Sequence, residues 1–139
     1  MSAIAPNGST HLPGSGKPAR FPRSARLLRH ADFERVYKQG RRHFATHMTV
    51  FYLWRSEGDN LRVGFTVGRV LGGAVVRNRM KRRLREAVRL QRPAANLPVD
   101  VVINPKKSLL TAEFADIKNE VGRAFEVILK SLEKLRGRE

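Results

Sequence analysis

The sequence contains no cysteine, a single tryptophan and only 12 acidic residues against 28 basic ones in 139. Without cysteine there is no disulfide partner and no thiolate metal site. No run approaches the roughly 18 consecutive apolar residues of a membrane span. The first residues lack the charged-then-apolar order of a secretory signal. The expectations are therefore a cytoplasmic location and no membrane partner. What is present is a 41% hydrophobic share, enough to build a core, and a formal net charge of +16. A chain this basic repels itself when compact and attracts polyanions, nucleic acid first among them.

The charge is concentrated in two places. Residues 1–30 carry five basic and no acidic residues, while residues 77–92 carry eight basic and one acidic, Glu86. The rest of the chain is close to balanced. Residues 1–23 hold Pro6, Gly8, Pro13, Gly14, Gly16, Pro18 and Pro22 among small polar residues and show no hydrophobic period. They read as a flexible basic tail, able either to track phosphates or simply to solubilise. Residues 24–139 read as one domain, within the usual size of roughly 100–150 residues.

Inside that domain, residues 31–39 place Phe33, Val36 and Tyr37 at helical spacing and Gly40 marks the stop. Residues 47–54 are β-branched and aromatic, as a strand requires. Residues 61–67 alternate, with Leu61, Val63, Phe65 and Val67 on one face and Arg62, Gly64 and Thr66 on the other. The turn residues between these two strands predict an antiparallel hairpin. Residues 99–104 predict a further strand ended by Pro105. A long helix is expected from an N-cap at Thr111 to about Leu135, with Phe114, Ile117, Val121, Phe125, Ile128, Leu132 and Leu135 on one stripe. An α+β, two-layer αβ sandwich with helices on a small sheet accommodates this order.

The segment 74–92 is a helix with a narrow apolar stripe of Val76, Met80, Leu84 and Ala87, edged by Val88. At helical pitch Asn78, Arg82, Arg85 and Arg89 lie opposite, with Arg77, Arg79, Lys81 and Arg83 on the flanks. One face can pack on a sheet while the other presents a comb of guanidinium groups. Arginine outnumbers lysine seven to one in residues 77–92, which suits bidentate phosphate contacts. A charge run is often only a solvated face, but a run this one-sided favours a ligand. A membrane-surface helix needs a broad face with bulky aromatics, and a basic zipper needs a following leucine heptad; neither is present. Phe33 and Tyr37, one helical turn apart, and Phe51 and Tyr52, on opposite faces of one strand, admit both ordinary core packing and stacking of unpaired bases.

Residues 72–86, GGAVVRNRMKRRLRE, resemble the signature of the bacterial ribonuclease P protein component. FERVYKQG before it, the RVGFTVGR approach, the DVVIN strand and the long last helix match in order, so the resemblance covers about residues 24–135. It implies a small subunit of a ribonucleoprotein endonuclease that removes the 5′ leader of precursor tRNA. In that reading the catalytic RNA performs the chemistry with its Mg²⁺, and the protein carries no catalytic residue. Arg77, Asn78, Arg79, Lys81, Arg82, Arg85 and Arg89 are the implied contacts to the catalytic RNA. Phe33, Tyr37, Phe51 and Arg69 are the implied contacts to the single-stranded leader of the precursor tRNA, in a cleft between the first helix and the sheet. The resemblance also implies a mixed sheet with a left-handed β-α-β crossover, against the right-handed preference of such units. One departure stands out: where the family has a Ser-Lys-Lys run, this chain has Gly68-Arg69-Val70, with Arg62 and the tail the nearby bases to compensate.

Two rival readings make different demands. A ribosomal or other structural RNA-binding protein would use the same helix and co-purify with ribosomal RNA. A nuclease acting as protein alone needs carboxylates clustered around metal, or a positioned histidine. The acids here are mostly in the last helix or beside Lys and Arg, and His43 and His47 have no third ligand motif with them.

Overall fold

The computed structural model describes residues 29–58, 60–93 and 97–137; the basic tail expected over residues 1–23 lies outside them. The elements run α1 (His30–Gln39), β1 (Arg41–Phe44), β2 (Met48–Trp54), β3 (Arg62–Phe65), α2 (Ala74–Gln91), β4 (Val99–Pro105) and α3 (Phe114–Gly137), with short 3₁₀ turns at Arg69–Leu71 and Lys107–Leu110. The strands form one mixed sheet in the order β1-β2-β4-β3. β1 with β2 and β2 with β4 are antiparallel, while β3 and β4 are parallel and joined through α2.

The predicted hairpin is therefore corrected: β2 and β3 do not pair, because β4 lies between them. The cause is in the composition of β4. Val99, Val101 and Ile103 point to one face, Val102 to the other, and all are buried. A strand apolar on both sides is most stable at the centre of a sheet, covered on both faces. Although turn formers lie between β2 and β3 in the sequence, the two strands are separated by β4 in the sheet. The Arg55 amide donates to the Pro98 carbonyl at 2.7 Å, so β2 stays registered with the chain entering β4. β1 was not anticipated, since a four-residue strand of sequence RRHF gives little pattern to read.

The main core lies between the sheet and the pair α2 and α3. Met48, Val50, Val63, Val101 and Ile103 meet Met80, Leu84, Val88, Ile117, Val121, Phe125 and Ile128 there. The stripes predicted on α2 and α3 are the ones that bury, except that Leu135 is exposed at the end of α3. Each large side chain removed from water contributes about 1.5–3 kcal/mol before entropy. The start of α3 is also corrected: it begins at Phe114, and Thr111 is not its N-cap. Leu109 is fully buried, and the 3₁₀ turn that tucks it under the core delays the helix. The Asp116 and Ile117 amides then donate to the Glu113 carbonyl, at 3.0 and 3.2 Å.

α1 crosses the opposite face of the sheet. Val36 and Val102 form a small second cluster there with Phe33, Phe51 and Leu53. Gly40 does end α1, but its backbone is extended rather than left-handed, with φ −82°. Glycine is required for a different reason: a Cβ there would stand 2.5 Å from the Val36 carbonyl oxygen and 2.6 Å from that of Tyr52. The helix end rests directly on the β2 backbone.

On β1, burial and then the positive charge of Arg123 hold the His43 imidazole below its ordinary value of 6.5, with Glu120 pulling the other way. A depressed folded value means that the contribution of His43 is fully present above pH 6.5 and is lost as pH falls from 6.5 through the folded value, because the unfolded chain takes up the proton first. His43→Gln is expected to lessen the loss of melting temperature between pH 7.5 and pH 5. Identical pH profiles for the two proteins would exclude His43 as a source of that loss.

Candidate nucleic-acid interface

α2 is oriented by its apolar side. Met80, Leu84, Ala87 and Val88 are fully buried, so the helix cannot rotate, and Asn78, Arg79 and Arg82 are held out in solvent while Arg77, Lys81, Arg85 and Arg89 are half-buried around them. Gly72, with φ 145°, makes the bend into the helix. The Arg77 Nε donates to the Gly72 carbonyl at 3.2 Å, fixing the first arginine against that bend. All seven residues expected to contact the catalytic RNA thus lie on one rigid element.

Arg89 and Arg83 on α2 are also engaged within the protein. Arg89 Nε donates to Glu86 Oε1 at 3.0 Å, and this hydrogen bond raises the Arg89 pKa above its ordinary value, against some desolvation. Glu86 is the single acid of the basic block, and the i,i+3 spacing of the pair was readable in the sequence. Arg83 turns the other way. Its guanidinium donates to the carbonyls of Leu109 at 3.0 Å and Leu110 at 2.8 Å, and also to that of Ala112. Arg83 is a brace between α2 and the turn that precedes α3.

The aromatic residues expected at the leader cleft also come together. Tyr37 and Phe51 meet edge to face with ring centroids 4.9 Å apart at 89°, and Phe33 joins Phe51 in the cluster beneath α1. Phe33 and Phe51 are half-buried, so part of their area serves packing, whereas Tyr37 is 37% exposed at the rim. The Tyr37 hydroxyl donates to Asn104 Oδ1 at 2.9 Å and lies 2.6 Å from Thr66 Oγ1. With the Tyr37 proton directed at Asn104, the Thr66 hydroxyl donates to Tyr37. These bonds fix the ring, and sequence reasoning missed both partners. The available signal was strand alternation, which puts Thr66 and Asn104 on the same face as Arg62 and Asp100. Arg69 occupies the exposed 3₁₀ turn that leads from β3 to α2.

Arg62 is not free to compensate for Val70. Its Nε and Nη2 donate to Asp100 at 2.8 and 2.7 Å, and Nη2 also lies 3.5 Å from Asp32 on α1. The Asp100 hydrogen bond raises the Arg62 pKa, opposed by partial burial. Asp100, fully buried, takes Arg55 as its second partner.

Fold and surface together define a class: a small αβ protein with an arginine-rich helix on one side of its sheet and a cluster of aromatic residues, Tyr37 exposed at its rim, on the other. The family model described as Ribonuclease P matches residues 21–129. The ribonuclease P protein component of Symbiobacterium thermophilum is 42% identical over 101 residues, covering 73% of this chain and 88% of the relative. That of Desulforapulum autotrophicum is 34% identical over 111 residues, covering 80% and 94%. Among solved structures, the RNase P protein of Staphylococcus aureus superposes with a TM-score of 0.66 at 27% identity, over 75% of this chain and 94% of that one. The chain belongs to the ribonuclease P protein family. Its function is that of the family: the protein component of an endoribonuclease that assists removal of the tRNA 5′ leader, with the chemistry done by the catalytic RNA. The resemblance read from residues 72–86 holds, and the ribosomal and protein-only readings fall away.

Proposed function

We propose that the two surfaces divide the RNA work between them. Arg77, Asn78, Arg79, Lys81, Arg82, Arg85 and Arg89 dock on the catalytic RNA, and Phe33, Tyr37, Phe51 and Arg69 hold the single-stranded 5′ leader of precursor tRNA. The observation that carries the second half is the fixed Tyr37 ring, held by Asn104 and Thr66 and packed on Phe51 yet exposed at the rim. An aromatic held in that way on a basic protein stacks an unpaired base with little entropy left to lose, and sequence does not matter because every base has a π face. Docking of α2 leaves the leader side of the sheet open, so one small domain can join enzyme RNA to substrate in the cytoplasm.

Mg²⁺ belongs with the RNA in this reading. Among the described residues no three of His, Asp, Glu or Cys gather to hold an ion. The buried carboxylates of Asp32 and Asp100 are occupied by arginines. Among the described residues the protein groups do not fit a metal site, and in this reading the protein's part is binding and orientation.

Phe33→Ala with Tyr37→Ala is expected to weaken binding of a leader-bearing precursor to the assembled enzyme by about tenfold or more, at roughly 1–3 kcal/mol per stacked base, and to leave mature tRNA binding nearly unchanged. Equal losses for the two ligands would refute the leader cleft. A retained circular dichroism spectrum is the needed control, because Phe33 is partly packed.

A further inference from the structure

The sheet face that carries the cleft extends beyond the four residues assigned to it. By register, Phe44 of β1 stands opposite Thr49 of β2, Arg42 opposite Phe51, and Thr49 opposite Asn104 of β4. Side chains opposite one another share a face, so Phe44, Arg42, Thr49, Phe51 and Asn104 form one continuous surface with Tyr37 at its edge. Phe44 is diagonal to Phe51, at a separation of about 7–8 Å. It is 68% exposed, the most open aromatic of the described residues. The guanidinium carbon of Arg42 lies 5.8 Å from its ring centroid.

We propose that Phe44 and Arg42 form an additional subsite for one unpaired nucleotide, the base stacking on the Phe44 ring and the phosphate pairing with Arg42. The inference rests on the leader reading of the cleft and lengthens the track by one position toward the β1 edge. An exposed cation–π contact contributes only about 0.5–1 kcal/mol, too little to explain a phenylalanine so open to water. The occupant is selected by charge. Arg41 and Arg42 stand together on a four-residue edge strand, and Lys106 Nζ reaches the Ala45 carbonyl at 3.0 Å in the turn beside it. Positive charges on an edge strand oppose pairing with a second copy of a chain of net charge +16, and they attract a nucleic-acid backbone. Thr49 and Asn104, between the two aromatic positions, supply hydrogen-bonding groups for the nucleotide that passes over them.

The test uses the protein assembled with its catalytic RNA and a series of precursor tRNAs whose leaders shorten by one nucleotide down to mature tRNA. Phe44→Ala is expected to lose about five- to tenfold in affinity, the lower end of base–aromatic stacking. The loss is confined to leaders above a threshold length, and Phe44→Trp restores wild-type binding. Tyr37→Ala, measured alongside, is expected to lose affinity at shorter leaders than Phe44→Ala does. Wild-type binding by Phe44→Ala at every length, with a loss in Tyr37→Ala, would overturn the Phe44 subsite and leave the cleft standing. No loss in either variant would overturn both. A loss by Phe44→Ala that extends to mature tRNA, or a dimer in sedimentation of the free protein that Phe44→Ala abolishes, would also overturn the proposal.

Discussion

Replacing Arg77, Arg79 and Arg82 together by alanine is expected to lower affinity for the cognate catalytic RNA by about 10³–10⁶-fold and to flatten its salt dependence. Each charge-assisted contact contributes about 1.5–3 kcal/mol, and each neutralised phosphate adds about −0.9 to the slope of log K against log salt for a duplex. Three lost contacts therefore flatten the slope by about 3, in filter binding between 50 and 200 mM salt. Arg79 and Arg82 are exposed, and a retained circular dichroism spectrum is the control for loss of the Arg77 bond to the Gly72 carbonyl. Arg83→Met separates charge from position. Its guanidinium already serves the carbonyls of Leu109, Leu110 and Ala112, so its loss is expected to cost about 1.5–3 kcal/mol of stability with little change in the salt slope. Wild-type affinity and slope in the triple variant would refute docking through α2. A slope change in Arg83→Met equal to that of a single exposed arginine would show that the brace opens on binding.

Arg82 and Arg83 illustrate what the sequence can and cannot disclose. Helical pitch placed both correctly relative to the buried stripe of Met80, Leu84 and Val88. Only the tertiary path of residues 107–112 decides that one arginine faces outward while the other caps carbonyls. The same division runs through the fold. Periodicity located α1, α2, α3 and three of the four strands, because burial of one face imposes the period. It misjudged the pairing of β2 and β3, since turn residues after Trp54 are equally compatible with a hairpin and with a passage across β4. Gly40 was read as a stop from its residue type, but one of the two contacts that forbid a Cβ is with Tyr52, twelve positions along the chain. Within the candidate site, the arginine face of α2 was legible in residue type and spacing, whereas the aromatic trio was assigned by the family resemblance, since spacing alone admits ordinary core packing as well. The groups that hold them, Asn104 and Thr66 for Tyr37 and Gly72 for Arg77, were not legible, because each is a contact between elements.

Asp100→Ala is expected to be the most destabilising single change in the domain outside the apolar core, at about 3–5 kcal/mol, the cost of removing one partner from a buried ion pair. Asp100 is wholly buried and holds Arg55 and Arg62, whose side chains are themselves only 14% and 25% exposed. With the carboxylate gone, two guanidinium groups remain partly desolvated and repel each other in a chain that already carries +16. A domain of this size is stable by about 5–15 kcal/mol, so the melting temperature should fall by more than about 10 °C. Asp32→Ala removes a weaker link: Asp32 lies 3.5 Å from Arg62 and 3.2 Å from Arg35, and ties α1 to the sheet rather than strand to strand. Its expected cost is about 1–2 kcal/mol, including loss of a favourable acid in the first turn of α1. Because α1 carries Phe33 and Tyr37, Asp32→Ala should weaken leader binding while affinity for the catalytic RNA, set by α2, is retained. Thermal melts rank the two variants, and binding of leader-bearing and mature tRNA separates their consequences. If Asp100→Ala melts within two degrees of the wild type, the Arg55–Asp100–Arg62 network does not stabilise the sheet. If Asp32→Ala leaves leader affinity unchanged, α1 is held by the Val36 and Val102 cluster alone.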